Sequence, residues 1–492
     1  MARWQLSLEI DPASTVPLFV QIATAITADV RSGRLRPGAP LPGARSLARR
    51  LEVNRNTVAA AYAELAAEGW VTTSRGRGTF VSTSLPDLPP RRPGPRRGPG
   101  ARPGFDLPPP GRPGLDDDPV DPGARKWDYG IPDVRLAPVK ELARAYRRAL
   151  RDHGRDLLQY DRYSCRPHSR LQVALAAMLQ ATRGLHAAPE NLVVTRGSQM
   201  ALYLVAQAII RPGDTVAVEH PGYPVAWEVF RRAGAQLCPI EVDAEGIRIE
   251  PLERLAHERS LRAVFVTPHH QFPTTVTLGA GRRLALLRLA RQARFAVIED
   301  DYDHEFHFRG RPVQPLMSGD SDGVVLYMGS LSKIFAPGVR VGYLVAPTML
   351  ARRVRALRAL IDIQDDSVLD WALGELFEDG EMQRHFNRAR RFYLARRDAL
   401  VQALRDRLGG VVAFTPPSGG MALWARIDPA VDVERWAARA RARGLMFRTG
   451  RLFFLDGRPR PYVRLGFARW DERELAAAVE DLAAALPARG RG

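Results

Sequence analysis

Apolar positions change their spacing several times along this chain, and each change marks an element. Between Pro17 and Asp29 the segment PLFVQIATAITAD sets Leu18, Ile22, Ala25 and Ile26 at helical spacing, which predicts a helix with one buried side. The block LRPGAPLPGARSLARRLEVNRNTVAAAYAELAAEGWV then predicts a short helix from about Ala44 to Leu51. A tight connection follows around Glu52 to Asn54, and a longer alanine-rich helix begins near Asn56. Two helices with so short a joint fit helix-turn-helix geometry. VTTSRGRGTFVST alternates, turns at Gly76 to Gly78 and alternates again, which predicts a basic hairpin. The order of these elements is that of a winged helix.

From about Ser84 the periodicity stops. The stretch SLPDLPPRRPGPRRGPGARPGFDLPPPGRPGLDDDPVDPG is dominated by proline, glycine and arginine and has few bulky apolar side chains to offset the entropy of ordering. It reads as a linker over residues 84–125, between a first domain at 1–83 and a second at 126–492. The second alternates helical stretches with short β-rich runs: NLVVT, DTVAVE, AVFVT, RFAVIED, VVLYMG and VGYLVA. Such alternation predicts an α/β architecture with a mostly parallel sheet. A long helix from about Glu381 to Leu408 then leads into a smaller α/β part.

Composition narrows the function. Lysine and arginine number 72 against 54 acidic residues, a formal charge of +18, which favours anionic partners without choosing among them. Cys165 and Cys238 are the only cysteines, so neither a disulfide framework nor a cysteine metal cluster is supported, and no tight metal-ligand cluster stands out. The amino terminus lacks a basic stretch followed by an apolar core, and no apolar run reaches membrane-spanning length. The expectation is a cytoplasmic protein without a membrane partner.

Local arrangement chooses among the anions. Arg55, Asn56 and Thr57 open the second helix of the pair, where a recognition helix sends side chains to base edges. Arg45 and Arg49 lie four apart on the preceding helix, suited to phosphate or groove contacts, and Arg75 and Arg77 flank Gly76 in the wing. Across residues 17–81, with PLPGARSLARRLEVNRNTV, EGW and GRGTF, the chain resembles the GntR-type winged-helix domains of bacterial repressors. The implied partner is double-stranded operator DNA.

Five patches further on carry chemistry. VVTRGSQMALYLVAQAII ends a strand, turns at Gly197 and opens a helix at Ser198 and Gln199, whose free amides can face an anion. AVEHPGYPVAWEVF puts Tyr223 in a turn after a strand. FAVIEDDYDHEF expels charge at the carboxyl end of a strand, where α/β proteins bind ligands. VVLYMGSLSKIFAPGVRVGYLV carries Ser330, Lys333 and Arg340, and YVRLGFA carries Arg464. Singly these read as a helix cap, a structural turn, a solvated acidic loop and a surface arginine.

Together they resemble fold-type-I, aspartate-aminotransferase-like enzymes that bind pyridoxal 5'-phosphate, a fold with large and small subdomains. The resemblance assigns Gly197, Ser198, Gln199, Ser330 and Arg340 to the cofactor phosphate and Tyr223 to a ring stacked on the pyridine. It assigns Asp300 to the pyridine nitrogen, Tyr302 to the phenolic oxygen, Lys333 to the Schiff base and Arg464 to the α-carboxylate of an amino-acid ligand. Tyr160 matches a tyrosine that reaches a neighbouring subunit's cofactor phosphate. Glu299, Asp301, Asp303 and Glu305 receive no role and are expected to form a solvated acidic loop.

Two segments depart from the pattern. In TPHHQFPTTVTL, Phe272 stands where many aminotransferases carry asparagine, which removes a partner for the phenolic oxygen. His270 is a candidate substitute, and a structural histidine at a strand end is the other reading. LLQYDRYSCRPHSRL replaces a glycine-bearing loop. As a whole the chain resembles the MocR family of bacterial transcription regulators, which implies a head-to-tail homodimer and an effector that is the cofactor itself or a small amino compound. The sequence reading favours a regulator retaining aminotransferase-like chemistry. An aminotransferase with an attached DNA-binding domain, and a repressor whose large domain only dimerises, stay open.

Overall fold

The computed structural model describes residues 8–74, 76–86, 105–107, 123–160, 168–310 and 312–487. Chain contacts divide it into two compact units, residues 1–110 and 111–492. Most of the proline-rich stretch, Arg75 and Cys165 lie outside the described residues.

In the first unit, helices Leu18–Arg31, Ala44–Arg50 and Arg55–Ala67 enclose Ile22, Ile26, Val30, Leu47, Val58, Leu65 and Trp70. The third helix starts one residue before the position the pattern suggested. Asn54 is its N-cap, the side chain accepting from the Asn56 amide at 2.8 Å, which satisfies an otherwise open donor. Glu52 takes a φ of 54° in the joint between the helices. Tyr62 Oη donates to the Pro42 carbonyl at 2.6 Å and ties the third helix to the residues leading into the second. Strands Val71–Ser74 and Gly78–Val81 pair antiparallel as the wing.

The second unit is built on an eight-stranded sheet. Its order is Leu192–Thr195, Gly342–Val345, Val325–Ser330, Ala296–Asp301, Leu261–Val266, Thr215–His220, Gln236–Asp243 and Gly246–Ile247. The five strands from Val325–Ser330 to Gln236–Asp243 are mutually parallel, and Gly342–Val345 runs antiparallel to both its neighbours. Strand Gln236–Asp243 is absent from the sequence-predicted set; it is half exposed and holds Pro239, so it offers no apolar run. Helix Glu381–Leu408 leads to a three-stranded sheet of Val412–Ala413, Ala422–Ile427 and Tyr462–Gly466, packed with helices Val433–Ala442 and Glu472–Ala484. This is the large and small subdomain arrangement expected of the type I fold. No described helix is long and apolar enough to cross a membrane.

Candidate functional site

Two glycines shape a tight turn in the second unit. Gly197 has a φ of 83°, open to glycine, and caps helix Ser198–Ile209. A Cβ there would stand 2.7 Å from Arg340 Nη2, so the bare backbone lets the guanidinium lie against the turn. A Cβ at Gly342 would meet the Ser198 amide at 2.5 Å, so the neighbouring strand also needs a bare backbone. Arg340 donates to the Arg196 carbonyl at 3.1 Å and to Ser332 Oγ at 3.4 Å. Ser330 caps the short helix Leu331–Ile334, its Oγ accepting from the Ser332 amide at 3.2 Å. The turn, Arg340 and the Ser330–Lys333 segment are thereby one neighbourhood.

Strand Ala296–Asp301 ends in a row of buried carboxylates, and here the solvated-loop expectation is overturned. Glu299 is 1 % exposed and accepts from the amides of Leu316 at 2.7 Å and Met317 at 3.1 Å. Asp301 accepts from Tyr327 Oη at 2.8 Å and faces His304 and the buried Arg183, which also pairs with Glu305. Burial raises Asp301, but His304 and Arg183 outweigh it and hold the carboxyl well below the usual range. Asp303 faces His270 Nδ1 at 2.7 Å. These groups are inside because each has partners, which a linear reading of the acidic run cannot supply.

Asp301 Oδ1, Asp303 Oδ2 and Glu305 Oε2 are also buried without a partner, but each of those carboxylates is engaged through its other oxygen, and Asp300 is the one that accepts no hydrogen bond. Its Oδ1 is buried with no hydrogen-bond partner, and burial together with Asp301 and Asp303 pushes its carboxyl up to about 7. Lys333 acts on it in the opposite sense. Burial lowers the Lys333 amine, Asp128 opposes that, and Arg464 adds to it. Lys333 Nζ donates to the Gly130 carbonyl at 2.9 Å.

Arg464 is 2 % exposed. It donates to the carbonyls of Tyr129, at 2.8 Å, and Pro273, and reaches Tyr302 Oη at 3.4 Å. Its guanidinium carbon lies 4.5 Å from the centroid of the Phe272 ring, which meets Tyr223 edge-on at 5.1 Å. Phe272 thus fills its place in an aromatic wall. His270 turns its ring to Asp303, while its carbonyl accepts from Tyr302 Oη at 2.9 Å. Tyr160 is exposed in the single chain.

Sequence reasoning missed the turn Asp128–Gly130. Asp128 accepts from the amides of Gly130 and Ile131, both at 2.7 Å, and the next two carbonyls hold Arg464 and Lys333. Its signal was present in WDYGIPD, an aromatic followed by glycine and proline. The assembled groups suit a small ligand with an anionic end, a cationic ring nitrogen and a carbon that reacts with amines.

On the first unit, Arg45, Arg49, Arg55, Asn56 and Arg77 are exposed and Thr57 is half-buried. The start of the third helix and the wing turn therefore both present polar side chains to solvent.

The family described as bacterial regulatory proteins, gntR family, matches residues 18–81, and aminotransferase class I and II matches residues 126–482. A protein named "probable rhizopine catabolism regulatory protein MocR" of Rhizobium meliloti is 31% identical over 97% of this chain and 96% of its own length. The HTH-type transcriptional regulator TauR of Rhodobacter capsulatus is 34% identical over 98% of this chain and 99% of its own. Among solved structures, the α-aminoadipate aminotransferase LysN of Thermus thermophilus, complexed with N-(5'-phosphopyridoxyl)-L-leucine, superposes with a TM-score of 0.68 at 28% identity. That match covers 74% of this chain and 92% of the enzyme. Most of the similar curated proteins carry the names of regulators, not of enzymes.

Proposed function

This chain belongs to the MocR-type transcription regulators, GntR-type winged helices joined to an aminotransferase-like domain, and from that premise we propose that its pocket controls operator binding through a ligand held at Lys333. The ligand is pyridoxal 5'-phosphate, with or without a small amino compound. The acting form is a homodimer on double-stranded DNA. Residues 84–125 link the reader, 1–83, to the sensing domain, 126–492.

The observation that carries this reading is Asp300, the one carboxylate of its strand end that accepts no hydrogen bond, with the half-buried Lys333 amine acting on it. Left alone, such a group is costly; a protonated pyridine nitrogen is the partner it lacks. The Gly197 turn, the amides opening helix Ser198–Ile209, Ser330 and Arg340 would take the phosphate, which suits a bidentate guanidinium. Tyr223 and Tyr302 would border the ring. When bound, the cofactor supplies an aldehyde that condenses with primary amines and a ring that withdraws electrons.

The chain's own residues account for the response. Lys333 and Arg464 both rest on the turn at Tyr129–Gly130. A ligand that recruits the lysine amine, or sets a carboxylate on Arg464, takes the donors from those carbonyls. The turn then has reason to shift, and it lies close after the linker. Differential affinity for two positions of that turn is the free energy available to change operator binding.

A spectral titration of the wild type and Lys333→Ala with pyridoxal phosphate and amines, paired with operator binding, tests the reading. Visible absorbance and an operator response in the wild type, both lost in the variant, are expected. Steady turnover of an amino acid with an oxo acid, without an operator response, would instead identify an aminotransferase with a DNA tether.

A further inference from the structure

Four of the chain's ten histidines gather beside the acidic strand end. His269 and His270 follow strand Leu261–Val266, and His304 and His307 follow strand Ala296–Asp301. These strands are parallel neighbours, so both loops leave at the same sheet edge and the rings meet. Ring centroids stand 4.3 Å apart for His269 and His270, 4.5 Å for His269 and His304, and 5.7 Å for His269 and His307. One ligating nitrogen from each of His269, His270 and His307 lies within 4.8 Å of the other two.

Each of the three rings carries an open nitrogen. His269 Nε2, His270 Nε2 and His307 Nδ1 are buried without hydrogen-bond partners. Buried polar atoms are ordinarily paired, and three open imidazole nitrogens in one place call for a shared acceptor of lone pairs. His270 is also oriented for it. Asp303 Oδ1, 2.7 Å from Nδ1, holds the proton on that nitrogen and leaves Nε2 with its lone pair, as carboxylates do for metal-ligating histidines. Gly419, whose backbone bridges His307, would bring a Cβ inside contact distance of His270 Nε2, so a bare backbone is required there.

We propose that His269, His270 and His307 bind a divalent transition-metal ion of the Zn²⁺ class, with water or a small anion completing the coordination. Imidazole nitrogens suit Zn²⁺, Ni²⁺ or Cu²⁺ and not Mg²⁺ or Ca²⁺. Zn–N bonds of about 2.0–2.1 Å in a tetrahedron hold nitrogens roughly 3.3 Å apart, so loading draws the rings inward. His307, the least buried of the three, has the freest path to move. The site touches the ligand pocket through His270, whose carbonyl accepts from Tyr302, and through Asp303, which acts on Asp300 and Lys333.

The test uses tag-free, full-length protein stripped with a chelator, then exposed to Zn²⁺ or Mg²⁺, desalted and assayed by atomic emission, with Co²⁺ as the spectroscopic probe. One Zn²⁺ per chain, no Mg²⁺ and strong visible Co²⁺ bands are expected. His307→Ala and His269→Ala should each weaken Zn²⁺ binding tenfold or more and bleach those bands, while His257→Ala, at an exposed position of helix Ile249–Glu258, changes neither. His307 is only half-buried, so its variant should keep the wild-type circular dichroism and melting of the metal-free chain if His269→Ala fails to fold. Absence of stoichiometric Zn²⁺ in the wild type, or equal binding by a folded His307→Ala, overturns the proposal.

Discussion

Lys333 and Gly130 are 203 residues apart in the chain, yet the lysine Nζ donates to the glycine carbonyl at 2.9 Å. Arg464 holds the preceding carbonyl, that of Tyr129, at 2.8 Å. One turn therefore occupies the two cations that a carboxylate-bearing amine would recruit, and Asp128 stiffens it by accepting two of its amides. A ligand held at Lys333 and Arg464 would compete with the turn for the same donors.

Asp128 also opposes the effect of burial on the Lys333 amine. Burial lowers the amine's pKa and the Asp128 carboxylate is the foremost opposing charge. Asp128→Asn keeps an acceptor for the Gly130 and Ile131 amides but removes that charge. The pH at which Lys333 is half-trapped by pyridoxal phosphate and borohydride, read by mass spectrometry, should move to lower pH in the variant. An unmoved or raised midpoint would show that Asp128 does not act on the amine.

Asp300 ties ligand retention to stability with opposite signs. In the ligand-free chain its carboxyl is pushed up to about 7, by burial first and then by Asp301 and Asp303. A carboxyl raised in the folded state holds its proton more tightly there, so its contribution is fully present below the unfolded value near 4. It is lost as pH rises through about 7. Asp300→Asn should therefore stabilise the ligand-free chain at pH 8, by on the order of 2 kcal/mol, with the gain vanishing near pH 4. The same variant should lose pyridoxal phosphate more readily, on the order of tenfold or about 1.4 kcal/mol. Urea melts across pH and dialysis of the loaded protein measure the two effects.

Gly197→Ala meets two obstacles at once. Its φ of 83° is strained for alanine, and the new methyl would stand 2.7 Å from Arg340 Nη2. The backbone alone costs about 1–3 kcal/mol, and Arg340 must leave the turn. Thermal melting should fall, and retention of pyridoxal phosphate should fall further than retention of pyridoxal, which carries no phosphate. Equal losses for both would remove the turn from phosphate binding.

Much of this was legible in the sequence wherever the signal is local. The winged helix and six strands of the eight-stranded sheet each sit in a short run whose spacing states its geometry, and Gly197 reads as a turn opening a helix; Asp300, Lys333 and Arg340 were marked only through the family resemblance. Strand Gln236–Asp243 was not legible, because it lies towards one side of the sheet, half exposed, with a proline inside. The Asp128–Gly130 turn and the histidine cluster were not, because their meaning lies in contacts across the fold. Burial of Asp301 could not be read from an acidic run, since its partners Arg183 and Tyr327 come from distant segments.

The reader offers a separable test of phosphate against base contacts. Arg49 and Arg55 are both exposed, but Arg49 lies in the last turn of its helix while Arg55 opens the following one, whose cap is Asn54. A helix N-terminus entering the major groove puts Arg55 and Asn56 at base edges. Arg55→Ala should cost about 1–3 kcal/mol on the operator and relax its preference at one position. Arg49→Ala, losing a phosphate contact, should weaken all sequences alike and reduce the slope of log affinity against log salt by about 1. Fluorescence anisotropy on operator and scrambled duplexes over a salt series distinguishes them. If Arg49→Ala changed sequence preference while Arg55→Ala did not, the assignment of the two helices would have to be exchanged.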